Sequence, residues 1–158
     1  MKNTFKRSGA ALISLVLLLV LAVSAGAASS QNVGVKFWKE RSDKESMANS
    51  GIDPDRTATL TRQANGTYTL TLPVMQVSKL GVTGYLSGLT IGDVTYDGTL
   101  TGDFNKATAV LTIKNLPASV LTGSDVNKSV LVTCNIQIDL QVLGDINTSA
   151  RMCIWNQK

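Results

Sequence analysis

A chain of 158 residues with 15 basic, 11 acidic and no histidine side chains has length for one ordinary domain, and it lacks the residue on which most catalytic pairs depend. No Ser-His or Cys-His couple can form, and no glycine-rich phosphate loop or paired-cysteine knuckle is present, so the chain reads as a non-enzyme. The surplus of positive charge sits in the first residues: Lys2, Lys6 and Arg7 precede 12 basic and 11 acidic side chains, a near-neutral body that gives no basis for nucleic-acid binding.

Those three cations lead into an uncharged run, Gly9 to Ala28, that ends in small residues, which is the pattern of a secretion signal. A cut after Ala27 satisfies the small-x-small rule through Ala25 and Ala27. Residues 1–27 are therefore expected to be the signal, and residues 28–158 a single secreted or surface-associated domain. No cysteine follows the cut to take a lipid. Left uncut, the run is long enough to anchor in a membrane, the one arrangement in which the reading allows membrane contact.

From Gln31 onward the chain is a succession of short segments that alternate apolar and polar residues, separated by glycine, asparagine, aspartate and proline. That is how half-buried antiparallel strands read. A first strand is predicted over residues 33–38. Residues 57–62 and 67–74 form a hairpin turned at Asn65-Gly66, the strongest hairpin signal in the chain. Residues 86–94 and 107–114 follow as strands. In SVLVTCNIQIDLQV, residues 129–142, the even-numbered Val130, Val132, Cys134, Ile136, Ile138, Leu140 and Val142 share one face, and only Leu131 interrupts the polar opposite face. A last strand covers residues 150–155 after a turn near Gly144-Asp145. The expected fold is all-β, an immunoglobulin-like antiparallel sandwich with one short helical turn near residues 43–50, where the chain is polar and does not alternate.

Parity also bears on the two cysteines, which a secreted chain would be expected to oxidise. Cys134 belongs to the inward face, whereas Ala150, Met152 and Ile154 leave Cys153 outward. An unbulged hairpin keeps the thiols on opposite faces, while a bulge near Gly144 would bring 134 opposite 153; both arrangements stay open. Asp53, Asp55, Asp93, Asp97 and Asp103 read as turn residues more readily than as calcium ligands, since their spacing fits no calcium loop. The sequons at Asn65, Asn127 and Asn147 are short matches of the kind that a Ser- and Thr-rich chain produces by chance.

Met47 is harder to place. It stands in KESMANSG, among charged and small residues, with no apolar neighbours at strand or helix spacing. Met75, beside an apolar strand end, and Met152, on the parity of Ile154, read as packing residues. Phe37, Trp38 and Tyr85 could line a flat ligand, but aromatic residues in strands ordinarily belong to the core.

The order VKFWKERSDKESMAN, TATLTRQANGTYTLTLPVM, TGYLSGLTI and finally ARMCIW resembles the Shp-type branch of the NEAT-like haem-binding domains of Gram-positive surfaces. The resemblance spans essentially the whole chain after the signal, and SMAN, NGTYTLTL and TGYL carry most of it. It implies an immunoglobulin-like sandwich with haem held between the short helix after the first strand and the hairpin of the last two strands. It also implies two methionine ligands to the iron, one from each side, or in the wider NEAT group a tyrosine on the last hairpin strand. On this chain the resemblance carries the helix-side ligand to Met47, with Ser46 beside it, and implies Tyr85 of TGYL as a cofactor contact. The chain departs from the pattern on the hairpin side: Leu143 stands where the second methionine would be, and residues 145–151 contain no tyrosine. The implied function is a secreted haem-capture or haem-relay protein, whose partners would be haem and another relay protein. A non-catalytic adhesion or protein-interaction module that has lost haem is the alternative.

Overall fold

The computed structural model of the protein describes residues 28–79, 81–138 and 146–158. The expected signal segment and Leu143 lie outside the described residues. Nine strands run β1 (Ser29–Lys39), β2 (Ala58–Arg62), β3 (Tyr68–Pro73), β4 (Val77–Lys79), β5 (Val82–Ile91), β6 (Val94–Thr101), β7 (Val110–Leu116), β8 (Val130–Ile138) and β9 (Ile146–Asn156). The chain is all-β as expected, and every strand pairing is antiparallel.

Hydrogen bonding runs β5-β6-β7-β3-β2-β1-β9-β8 and returns from β8 to β5, so eight strands close into a barrel-like ring, with β4 added on the flank of β5. Closure removes the exposed sheet edges that a pair of separate sheets would present. Among the described residues the helical elements are four short 3-10 turns.

The local chemistry explains most of the strand ends. At the β2–β3 turn, Gly66 takes φ +83°, and Asn65 accepts hydrogen bonds from the Thr67 N–H at 3.1 Å and hydroxyl at 2.7 Å. The expected strand over 86–94 is instead two, because Ile91 pairs with Val94 around Gly92-Asp93 and Gly92 adopts φ +59°. Gly92-Asp93 is a two-residue hairpin signal in its own right, and Val94 breaks the period of two set by Leu89 and Ile91, so the turn is legible locally and a single strand over 86–94 misreads it. β9 begins at Ile146, four residues before the expected start.

Alternation then sorts the side chains. Val33 and Phe37 of β1, Leu60 of β2, Leu70 and Leu72 of β3, and Leu111 and Ile113 of β7 fill the interior with Val132, Cys134, Ala150, Met152 and Ile154. Met152 is thus core, as its parity predicts, whereas Leu131 is outward and 57% exposed. Met75 departs from the expected packing role: it lies between β3 and β4, where no strand face holds it inward, and is 41% exposed.

Both cysteines are free and buried. The β8–β9 register sets Cys134 opposite Thr148, and Cys153 faces Lys36 across β1 on the outer surface of the ring. Segment 118–128 covers that outer surface: Thr122 and Gly123 donate to the Ile154 carbonyl at 3.1 and 3.0 Å, and the Cys153 thiol approaches the Asp125 carbonyl at 3.6 Å. The thiols therefore lie on opposite faces of one sheet and cannot bond.

Candidate functional site

The segment after β1 is bound back onto it. Arg151 donates to the Lys39 carbonyl at 3.1 Å and the Ser42 carbonyl at 2.9 Å, and pairs with Asp43 at 2.7 Å. Lys36 pairs with Glu45 and rides 4.6 Å over the Trp38 ring. The chain then turns through a 3-10 helix, Met47–Gly51, hereafter the lid turn, whose N-cap is Ser46. The Ser46 hydroxyl accepts from the Ala48 N–H at 3.3 Å, the usual capping contact.

Asn49 fastens the lid turn to the barrel. Its Oδ1 accepts from the Phe37 N–H at 2.8 Å, and its Nδ2 donates to the Phe37 carbonyl at 2.7 Å and the Ser46 carbonyl at 3.1 Å. With the Asn49 side chain turned inward and Ala48 buried, Met47 is left at the surface, 59% exposed. The exposure is a consequence of how the turn is tied down. The signal for this role in SMAN is the asparagine itself, a residue that can replace a missing strand partner on both its N–H and C=O sides.

Beneath the lid turn lies a groove of about 310 Å³. Its roof is Met47, Ala48 and Gly51; its floor is Val82, Gly84 and Leu86 of β5, Ile136 and Ile138 of β8, and Ile146 and Thr148 of β9, with Val77 of β4 at the side. These floor residues are even-numbered because Gly84 pairs with Ile138, Leu86 with Ile136, and Ile136 with Ile146, so one parity faces the groove across three strands. Gly84 keeps the β5–β8 contact close: a Cβ there would come within 2.8 Å of the Gln137 carbonyl oxygen and 2.9 Å of Ile138 Cγ2.

Among the residues singled out from the sequence, the structure places Met47 at the groove and Ser46 immediately before it as the cap. Tyr85 borders the groove, but its hydroxyl donates to Gln137 Oε1 at 2.8 Å and its ring lies 5.1 Å from Phe104, both on the odd-numbered face turned away from Ile136 and Ile138. Phe37 is fully buried core. Trp38 lies on the outer face of β1 opposite Arg151, with its indole N–H buried and without a hydrogen-bond partner among the described residues. The residues that the sequence did not single out as a set are the floor itself, because pairing of β5 with β8 brings together segments about fifty residues apart.

Asp97, expected in a turn, lies instead within β6 opposite Gly88, and it is the other aspartates that act as turn residues. Asp53 accepts from the Asp55 N–H at 3.0 Å, Asp103 from the Asn105 N–H at 2.8 Å, and Asp125 from the Asn127 N–H at 3.0 Å. Among the described residues, no group of three or more His, Cys, Asp or Glu side chains is placed to hold a metal ion. Burial pushes the Cys134 thiol up from its ordinary 9.0 to about 12, which makes it an inert core group.

No family model matches the chain, and no curated protein matches it. Solved structures do. The NEAT5 domain of IsdX2, a B. anthracis hemophore, in complex with heme, superposes with a TM-score of 0.53 at 10% identity, covering 83% of this chain and 98% of that one. A mutant of the IsdX2 NEAT5 domain in complex with heme gives 0.52 at 11% identity over the same shares. At such low identity the likeness shows the fold, and the fold is that of a NEAT domain.

Proposed function

We propose that the groove under the lid turn binds haem and that the chain is a secreted, non-catalytic haem-capture or haem-relay protein of an iron-acquisition system, its ring a flattened immunoglobulin-like sandwich. One observation carries the reading: in a NEAT fold, an exposed thioether is held by a fastened turn over a floor of aliphatic side chains. The solved NEAT domains that it resembles were crystallised with heme.

The residues present fit such a group. The floor offers Val, Leu and Ile contacts on which a porphyrin can bury its apolar area, and Gly84 adds no side chain to obstruct it. In a chain without histidine, thioether sulfur is the soft donor available at this roof, and it favours the reduced metal. Bound haem would supply a redox-active iron; the chain's own part is to hold it, screen it from water and present Met47 to it. Ser46 sets the start of the turn that carries Met47, Leu143 is assigned to the hairpin side as a hydrocarbon contact, and Tyr85 to the border of the groove. Among the described residues no helix is long and apolar enough to cross a membrane.

Haemin titration of the purified chain tests the proposal. A Soret band that grows to saturation at one equivalent supports it. A flat difference trace rejects it in favour of a protein-interaction module on the same fold.

A further inference from the structure

The two sides of the groove differ in chemistry. On the roof stands the Met47 thioether; the floor is hydrocarbon from Val82, Leu86, Ile136, Ile138 and Ile146, except at one position. Thr148 of β9 is half-buried, shares the inward parity of Ile146 and Ala150, and has the buried Cys134 as its register partner. It is thus the hydroxyl-bearing side chain on an otherwise apolar lining beneath the roof.

A neutral threonine hydroxyl is a poor ligand for haem iron. Residues 139–145, DLQVLGD, which lie outside the described residues, contain no methionine, histidine, cysteine or tyrosine. Were Met47 to hold the iron from the roof, the described residues of the floor would offer its other side hydrocarbon and the Thr148 hydroxyl. An anion placed among aliphatic side chains is poorly solvated unless a donor meets it, and a hydrogen bond counts for more in such surroundings than in water.

We infer that the floor of this groove is a binding position for a small hydrogen-bond-accepting ligand, an anion or diatomic molecule, seated between the haem iron and the Thr148 hydroxyl. The inference rests on the haem reading and adds to it an exchangeable ligand that the protein itself recognises.

Azide is a suitable probe, being small, anionic and visible through the haem spectrum. The haemin-loaded chain, Thr148→Val and Thr148→Ser are titrated with azide, after the haemin affinity of each has been measured. Valine keeps the shape of threonine without its hydroxyl, and serine keeps the hydroxyl. The expected result is a saturable azide shift in the wild type, a similar affinity in Thr148→Ser, and an affinity lower by about 2- to 10-fold in Thr148→Val, the range of one net hydrogen bond. The azide affinities are compared at full haemin loading of each protein, so that a change in haemin affinity does not enter the comparison. Equal azide affinity throughout overturns the inference and leaves the haem reading intact, as does a loaded wild type that is already six-coordinate low-spin and ignores azide. Failure of all three to take up haemin overturns both.

Discussion

Asn49→Ala is the most direct probe of how this fold positions its candidate ligand, because the side chain makes three hydrogen bonds and touches the site only through the turn it holds. Truncation removes all three. The Phe37 carbonyl keeps a partner, since the Ser46 N–H donates to it at 2.9 Å, but the Phe37 N–H loses its acceptor beside a fully buried ring. At about 1 kcal/mol net per bond, with the orphaned donor at the upper end, the loss should be about 2–3 kcal/mol. For a domain of this size that corresponds to a fall in Tm of about 7–11 °C.

Thermal unfolding followed by circular dichroism measures the effect, and haemin titration of the same variant reports whether the lid turn still presents Met47. Asn49→Asp supplies the control. It keeps Oδ1 as an acceptor for the Phe37 N–H but sets a second carboxylate oxygen against the Phe37 and Ser46 carbonyls, so it should recover little of the loss. A melting temperature for Asn49→Ala within about 1 °C of wild type would show that the staple contributes nothing, and the account of why Met47 is exposed would have to be abandoned.

Met47→Ala should weaken haemin binding and shift the visible spectrum, because one iron bond and part of the roof are removed; unchanged affinity and bands would make Met47 a packing lid and nothing more. Leu143→Met conserves volume, costs the fold little, and should give low-spin six-coordinate bands and tighter binding if the hairpin side faces the metal; a spectrum identical to wild type counts against that assignment. Cys134→Ser should destabilise by about 1–3 kcal/mol through a buried hydroxyl, and thiol counting on the unreduced, denatured protein should find two reactive groups, a count of none being the contrary result. Alkaline titration has a definite sign: unfolded Cys134 ionises near 9.0, whereas burial holds the folded thiol protonated to about 12, so its contribution to stability is present below pH 9 and is lost as the pH rises towards 12, by about 1.4 kcal/mol per pH unit. Cys134→Ala should flatten that stretch of the stability curve, and parallel curves for the two proteins would contradict the assignment.

The strand positions and faces were legible in the sequence wherever a period of two is uninterrupted. Val130 to Ile138 could be sorted inward and outward residue by residue, and Asn65-Gly66 announced its turn, because both depend on neighbours in the chain. The resemblance in SMAN and NGTYTLTL likewise pointed to a fold that the solved NEAT domains share. Gly92-Asp93 was legible in the same way, a two-residue turn signal after which Val94 departs from the parity of Leu89 and Ile91, and a single strand over 86–94 overlooks it.

What depends on distant pairing was decided only in the folded chain. Alternation told that Cys153 points outward but not that residues 118–128 would cover it. The disulfide stayed open until the register put Cys134 opposite Thr148, because an extra residue in a turn shifts every partner by one while leaving each strand's own pattern unchanged. The groove required β5 to meet β8 and a lid turn to be fastened over both. Alternation fixes which way a side chain points from its own strand; what it meets there is fixed by which strand lies alongside, and for Thr148, Ile136 and Gly84 that was set by closure of the ring.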